Sequence, residues 1–146
     1  MKDSGGGSIV NIGSVAADVG TPGGSAYGSS KGGVCSLTKL AAVMRARKGY
    51  HVRVNTVHPC YIRTPLTEAS ASARVGKENA LQSLRDLHPF QMPWRTRRRG
   101  LRRVVSGVGR IRLVNAADLV LDGGLLSTCA ACATLAACRA ASALTP

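Results

Sequence analysis

Aromatic side chains are scarce in this sequence, with one Trp, one Phe and three Tyr among 146 residues. That is too few to stack a run of bases or to wall a large apolar pocket. Acidic residues are also scarce: 7 Asp and Glu stand against 20 Lys and Arg, a formal charge of +13. No stretch reaches the roughly 18 apolar residues of a spanning helix. The opening Met1-Lys2-Asp3-Ser4-Gly5-Gly6-Gly7 has no signal-peptide apolar core, so a cytoplasmic chain without a membrane partner is expected. Five cysteines (35, 60, 129, 132, 138) are an odd number and imply no disulfide framework. No internal repeat is found.

A hydrophobic fraction of 45% suffices for one domain-sized core. The positive charge is concentrated. Residues 94–112 hold eight arginines (95, 97, 98, 99, 102, 103, 110, 112) and no acid, and the rest of the chain carries 12 bases against 7 acids, a net of +5. Four segments follow: a well-patterned 1–90, an arginine-rich 91–112, a strand-like 113–124, and an Ala/Cys-rich tail, 125–146.

Ser8-Ile9-Val10-Asn11-Ile12 is a short β-branched run after a Gly cluster and reads as a buried strand. Residues 13–25, rich in Gly, Ala, Ser and Pro, read as a loop. Between Ala26 and Arg47 apolar residues recur at helical spacing (Val34, Leu37, Leu40, Ala41, Met44), with Gly49 as the stop. Val52-Arg53-Val54-Asn55-Thr56-Val57 reads as a second strand ended by His58-Pro59, residues 67–86 as moderately helical, and Leu119-Val120-Leu121 as a third strand. Strand, helix, strand makes a βαβ unit, so the first two strands should be parallel. Ligands of open parallel sheets bind beyond the strands' carboxyl ends, so a site should draw on the loops 13–25 and 58–66.

The chemistry falls at the start of that helix. Tyr27 and Lys31 lie four apart and share a face, while Ser14 sits just past the first strand. A phenol ordinarily titrates near about 10, too high for proton transfer at neutral pH. A neighbouring ammonium and the positive end of a helix dipole lower it. A serine hydroxyl can hold an alcohol or carbonyl oxygen beside the phenol. The three suit interconversion of an alcohol and a ketone, with hydride handled by a cofactor.

Three stretches carry a resemblance: Gly7-Ser8-Ile9-Val10-Asn11-Ile12-Gly13-Ser14, Ala26-Tyr27-Gly28-Ser29-Ser30-Lys31-Gly32-Gly33-Val34 and Val52-Arg53-Val54-Asn55-Thr56-Val57-His58-Pro59. In order and spacing they resemble the C-terminal half of the short-chain dehydrogenase/reductase family, over about residues 4–90. The resemblance resumes at Asn115-Ala116-Ala117-Asp118-Leu119-Val120-Leu121-Asp122-Gly123-Gly124. It implies an α/β, partial Rossmann-like (doubly wound parallel sheet) fold and an NAD(P)-dependent oxidoreductase acting on a small alcohol or ketone, commonly as a homo-oligomer. It also implies roles: Tyr27 as general acid/base, Lys31 lowering its pKa and binding the nicotinamide ribose, Ser14 orienting the substrate. Pro59, Cys60, Ile62 and Thr64 would line the cofactor. Cys60 stands where the family usually has Gly, and a β-carbon there costs of order 1 kcal/mol if φ is positive.

Other family features are missing from these residues. No G-x-G-x-x-G loop is present to hold a pyrophosphate at a helix N-terminus, and Gly5-Gly6-Gly7 precedes a strand instead of following one. Asn11 and Asn55 lie within strand segments and do not replace the family's active-site asparagine. The expectation is a fragment without the N-terminal cofactor-binding half, weakly active or inactive by itself, with the edge of its first strand exposed.

Pro89 to Ala116 spans 27 positions, about the family's distance, but the arginine-dense text is foreign to it, as two compensating frameshifts would produce. The alternative reading is a non-enzymatic remnant whose arginines bind nucleic acid non-specifically through phosphates. With only Trp94 for stacking, no specific nucleic-acid partner is expected. Cys129-Ala130-Ala131-Cys132 has metal-ligand spacing but no second pair, so no metal site is expected, and His58 reads as a strand-end residue without catalytic work.

Overall fold

The computed structural model describes residues 1–20, 24–79, 82, 85, 86, 94, 95, 107 and 110–127. Most of the arginine-rich segment and the tail with its C-x-x-C lie outside the described residues, as does much of 80–93. By its contacts the chain forms two compact units, Met1–Pro59 with Arg97–Leu121, and Cys60–Thr96 with Asp122–Pro146.

The first unit is a parallel sheet with a helix packed on it. Strand β1 (Gly7–Ile12) and strand β2 (Val52–Pro59) pair in parallel from Gly7 opposite Val52 to Ile12 opposite Val57. Helix α1 (Ser25–Arg47) is the crossover between them. On its other side β2 pairs in parallel with a third strand (Asp118–Leu121), which places Thr56 opposite Asp118. The βαβ reading and the three strand positions hold, with β2 running two residues further than its β-branched run. Being central, β2 is buried along nearly its whole length. It is nonetheless half polar, and a buried polar group is tolerated only when paired. Thr56 Oγ1 donates to Thr38 Oγ1 on α1 (2.8 Å), Asn55 Nδ2 donates to the Val114 carbonyl (3.0 Å), and Asn55 Oδ1 accepts from Ala117 N (3.1 Å). Asn11 Nδ2 also donates to Thr38 (2.8 Å). The two strand asparagines therefore stitch the sheet to its surroundings.

Helix α1 ends where expected: Gly49 takes φ of 65°, and its N–H bonds the Ala46 carbonyl at 3.0 Å. Thr38 and Ala42 face inward and are fully buried, while Leu37, Leu40, Val43 and Met44 are exposed.

In the second unit Ile62–Arg63 (β3) pairs in parallel with Trp94–Arg95 (β4). Two-residue strands have no periodicity to read, and the sequence gives no sign of this pair. The third strand of the first unit is therefore β5. Helix α2 (Pro65–Val75) starts at a capping box: Thr64 Oγ1 accepts from Thr67 N (3.2 Å) and Thr67 Oγ1 accepts from Thr64 N (2.9 Å). Pro65, with its fixed φ and no N–H, suits the first helical position. Ala71 is buried against Tyr61. Among the described residues no helix is long and apolar enough to cross a membrane.

Candidate active site

The site begins where β1 runs out. Gly13 N bonds the Val57 carbonyl at 2.8 Å, which extends the β1–β2 ladder by one residue. A β-carbon at Gly13 would lie 2.8 Å from both His58 Cδ2 and Thr56 Cγ2, so only glycine fits against β2 there. Ser14 follows, buried, as the cap of a single 3-10 turn (Val15–Ala17), its Oγ accepting from Ala16 N at 3.2 Å. That bond uses an oxygen lone pair and leaves the hydroxyl proton to donate.

Helix α1 is brought against this turn through Gly28. A β-carbon there would stand 2.9 Å from the Ala16 carbonyl oxygen, so its absence lets the first helical turn approach the Ser14–Ala17 backbone. Tyr27 and Lys31 ride on that turn and the next. Lys31 Nζ donates to the Ile12 carbonyl at 3.1 Å and lies 5.7 Å from the centre of the Tyr27 ring. The carbonyl it grips is two residues before Ser14. Tyr27 is 54% exposed, open to a ligand. The structure thus gathers Ser14, Tyr27 and Lys31 at the carboxyl end of β1. Two of the three Lys31 ammonium protons are not engaged by Ile12, a donor set that fits the hydroxyls of a ribose. A groove lined by Ala16, Asp18, Gly24, Ser25, Gly28 and Ser29 runs along the same face.

The residues expected to line the cofactor divide between the units. Pro59 is the last residue of β2, whereas Cys60, Ile62 and Thr64 belong to the second unit. Cys60 is not among the positive-φ residues, so the strain expected of a side chain in place of glycine does not arise. Burial pushes its thiol up to about 11, with a backbone hydrogen bond at Tyr61 opposing and Asp122 adding to the rise. The Thr64 hydroxyl serves as the cap of α2.

Next to the Ser14 turn lies a second polar cluster that no sequence pattern signals. His58, the penultimate residue of β2, is at the strand end as read but fully buried. Its Nδ1 is 2.5 Å from Asp18 Oδ2, and its Nε2 lies 3.3 Å from Cys35 Sγ and 3.5 Å from Asp118 Oδ1. Lys39 Nζ holds the other oxygen, Asp118 Oδ2, at 2.6 Å. The Cys35 thiol is pushed up by burial first, then by Asp118 and Asp18, with Lys39 opposing. The four positions 18, 35, 58 and 118 share no spacing, so no linear pattern signals them.

The family model described as short chain dehydrogenase matches residues 1–75. The chain is 52% identical over 69 residues to an NADP-dependent (R)-specific alcohol dehydrogenase of Lentilactobacillus kefiri, covering 47% of this chain and 27% of that protein. The aldohexose dehydrogenase of Thermoplasma acidophilum superposes with a TM-score of 0.78 at 31% identity, over 89% of this chain and 52% of its own. ElxO, solved with NADP bound, gives 0.69 at 30%, over 88% and 50%. The chain spans about half the length of these solved structures and about a quarter of the dehydrogenase from L. kefiri.

Proposed function

We propose that this chain, which belongs to the short-chain dehydrogenase family, carries the proton-transfer site of an NAD(P)-dependent oxidoreductase acting on a small alcohol or ketone. The observation that carries this reading is the Lys31 bridge: one ammonium 3.1 Å from the Ile12 carbonyl and 5.7 Å from the Tyr27 ring. It fixes the phenol's helix to the strand end from which Ser14 emerges. In this reading Ser14 donates to the substrate oxygen and holds it. Tyr27 takes the alcohol proton, or returns it to the ketone, with the Lys31 ammonium 5.7 Å from the centre of its ring. A nicotinamide cofactor supplies or accepts the hydride when bound. Lys31 would hold its ribose, with Pro59 at the end of β2 along the nicotinamide side.

These 146 residues contain no Gly-rich pyrophosphate loop, so we expect this chain by itself to hold cofactor weakly and to turn over slowly or not at all. The outward stripe of Leu37, Leu40 and Met44 on α1 supports a homo-oligomer that covers it.

Two readouts on the purified chain test the function. NADH or NADPH at millimolar concentration should change its fluorescence or raise the melting temperature. Any rate with a panel of secondary alcohols and ketones should vanish in Tyr27→Phe, which keeps the fold. No cofactor response of either kind, or a rate that survives Tyr27→Phe, sinks the reading for this chain.

A further inference from the structure

We propose that Cys35, His58 and Asp118 form a site for a divalent transition-metal ion of the zinc class, with Asp18 as the residue that positions the imidazole. The three donors come from α1, β2 and β5, and their ligand atoms all lie within 4.8 Å of one another. A tetrahedral ion bound at about 2.3 Å to sulfur and about 2.0–2.1 Å to nitrogen and oxygen separates S from N by about 3.5 Å and N from O by about 3.3 Å. The observed separations are 3.3 Å from Cys35 Sγ to His58 Nε2 and 3.5 Å from His58 Nε2 to Asp118 Oδ1. Two of the three donor-to-donor edges therefore match a tetrahedral ion, and the third, from Cys35 Sγ to Asp118, is within 4.8 Å. The fourth corner is left for water or a ligand.

Two further features belong to such a site. The first is the carboxylate behind the histidine. With Nδ1 held by Asp18 at 2.5 Å, the Nε2 lone pair of the neutral ring is directed inward, the arrangement that metal-ligating histidines use to fix tautomer and orientation. The second is Asp118 Oδ1, a buried oxygen that makes no hydrogen bond while Lys39 occupies its twin. A buried carboxylate oxygen left without a partner is costly, and an ion would satisfy it. The donor set of one thiolate, one imidazole and one carboxylate selects a borderline-soft ion over calcium or magnesium. Binding displaces the Cys35 thiol proton to solvent, and thiolate with carboxylate balances the two positive charges. The site shares no donor side chain with Ser14, Tyr27 and Lys31, although the Cys35 thiol bonds the Lys31 backbone carbonyl at 3.2 Å. It would clamp the helix that carries Tyr27 to β2 and β5.

Cobalt(II) titration of the reduced, chelator-treated full chain tests this. One equivalent should produce a thiolate-to-cobalt charge-transfer band in the near ultraviolet together with the visible bands of a four-coordinate ion, and zinc should displace it. Cys35→Ser should abolish the charge-transfer band. The double variant Cys129→Ser/Cys132→Ser should keep it. Asp18→Asn should weaken binding about ten- to a hundredfold. A band that survives Cys35→Ser, that disappears with the tail cysteines, or that never saturates up to millimolar cobalt overturns the site. In that last case the Cys35 thiol keeps its proton on the Lys31 carbonyl, with His58 Nε2 only a neighbour. Should Cys35→Ser fail to fold by circular dichroism, X-ray absorption on the zinc-loaded wild-type chain decides. One sulfur with nitrogen and oxygen neighbours is expected, and none or several rejects the proposal.

Discussion

In the unit of Met1–Pro59 and Arg97–Leu121, side chains reach across the chain. Asn11 meets Thr38, 27 residues away; His58 meets Asp18, 40 away; Asn55 reaches Val114, 59 away. Among the described residues of the unit Cys60–Thr96 and Asp122–Pro146, several side chains meet near neighbours. Thr64 caps Thr67, Arg63 pairs with Glu68, and Asp122 accepts from Gly124 N and Leu126 N. The first arrangement closes long loops and then depends on buried bonds that are expensive to break. The contacts named in the second are caps and turns that each stand on local geometry. Ser14, Tyr27 and Lys31, the proposed proton-transfer residues, belong to the first kind of structure, which suits a site whose groups must stay in register.

The sharpest way to break that contrast is at Thr38, where one buried hydroxyl joins three elements. It accepts from Asn11 Nδ2 and Thr56 Oγ1 and donates to the Val34 carbonyl. Thr38→Val keeps the shape and strands two polar groups, each worth about 1–3 kcal/mol when left unpaired. We expect a loss of about 2–4 kcal/mol in urea unfolding, with hydrogen exchange rising along β1 and β2. A loss below about 1 kcal/mol would show that water replaces the hydroxyl, and that the long-range bonds do not hold the unit.

Glycines on α1 give the next largest effect, and of both signs. Gly32 and Gly33 have open space where a β-carbon would go, so alanine at either should gain about 0.5–1 kcal/mol through the unfolded chain's lost freedom. Gly28 faces a backbone oxygen at 2.9 Å, which cannot swing aside as a side chain would. Gly28→Ala should lose about 1–2 kcal/mol despite the same gain in propensity. Melting temperatures of the three variants read this directly, and three shifts of one sign would remove the close approach from the account of how Tyr27 is placed.

Those glycines also mark what the sequence could and could not convey. The strand-helix-strand order and the parallel pairing were legible because they rest on periodicity, whereas the proposed Ser14, Tyr27, Lys31 set was readable only through the family resemblance of the text around it. Gly13 and Gly28 sit inside the recognised motifs, but the atoms that exclude a β-carbon come from β2 and from the turn after β1, which only the fold reveals. His58 was legible only as a residue before proline. Its partners at 18, 35 and 118 converge from a loop, a helix and a strand, and no linear rule predicts such convergence. The β3–β4 pair escaped for the opposite reason, since two residues are too few to show a period.

On the local side of the comparison, Thr64→Ala removes the cap of α2 while leaving Pro65 in place. Loss of a threonine cap costs about 1 kcal/mol. We expect faster hydrogen exchange confined to the first turn of α2, around Thr67 and Glu68. Exchange that rises throughout its own unit instead would show that the cap holds more than a turn.

The smallest effect is silent at neutral pH and appears only in alkali. The Cys60 thiol is held up at about 11, against an ordinary 9.0, chiefly by burial. A raised pKa means the folded state favours the protonated, neutral thiol. Its contribution to stability is therefore complete below about pH 9 and is lost as pH rises through 11. Melting temperature plotted against pH should fall more steeply for the wild-type chain than for Cys60→Ser across that window, and the two curves should run parallel below it. Cys35 and the tyrosines are common to both proteins, so their titrations cancel in the difference. Parallel curves throughout would place the Cys60 sulfur in water, and the second unit would then lack even this small buried group to set beside the polar interior of the first.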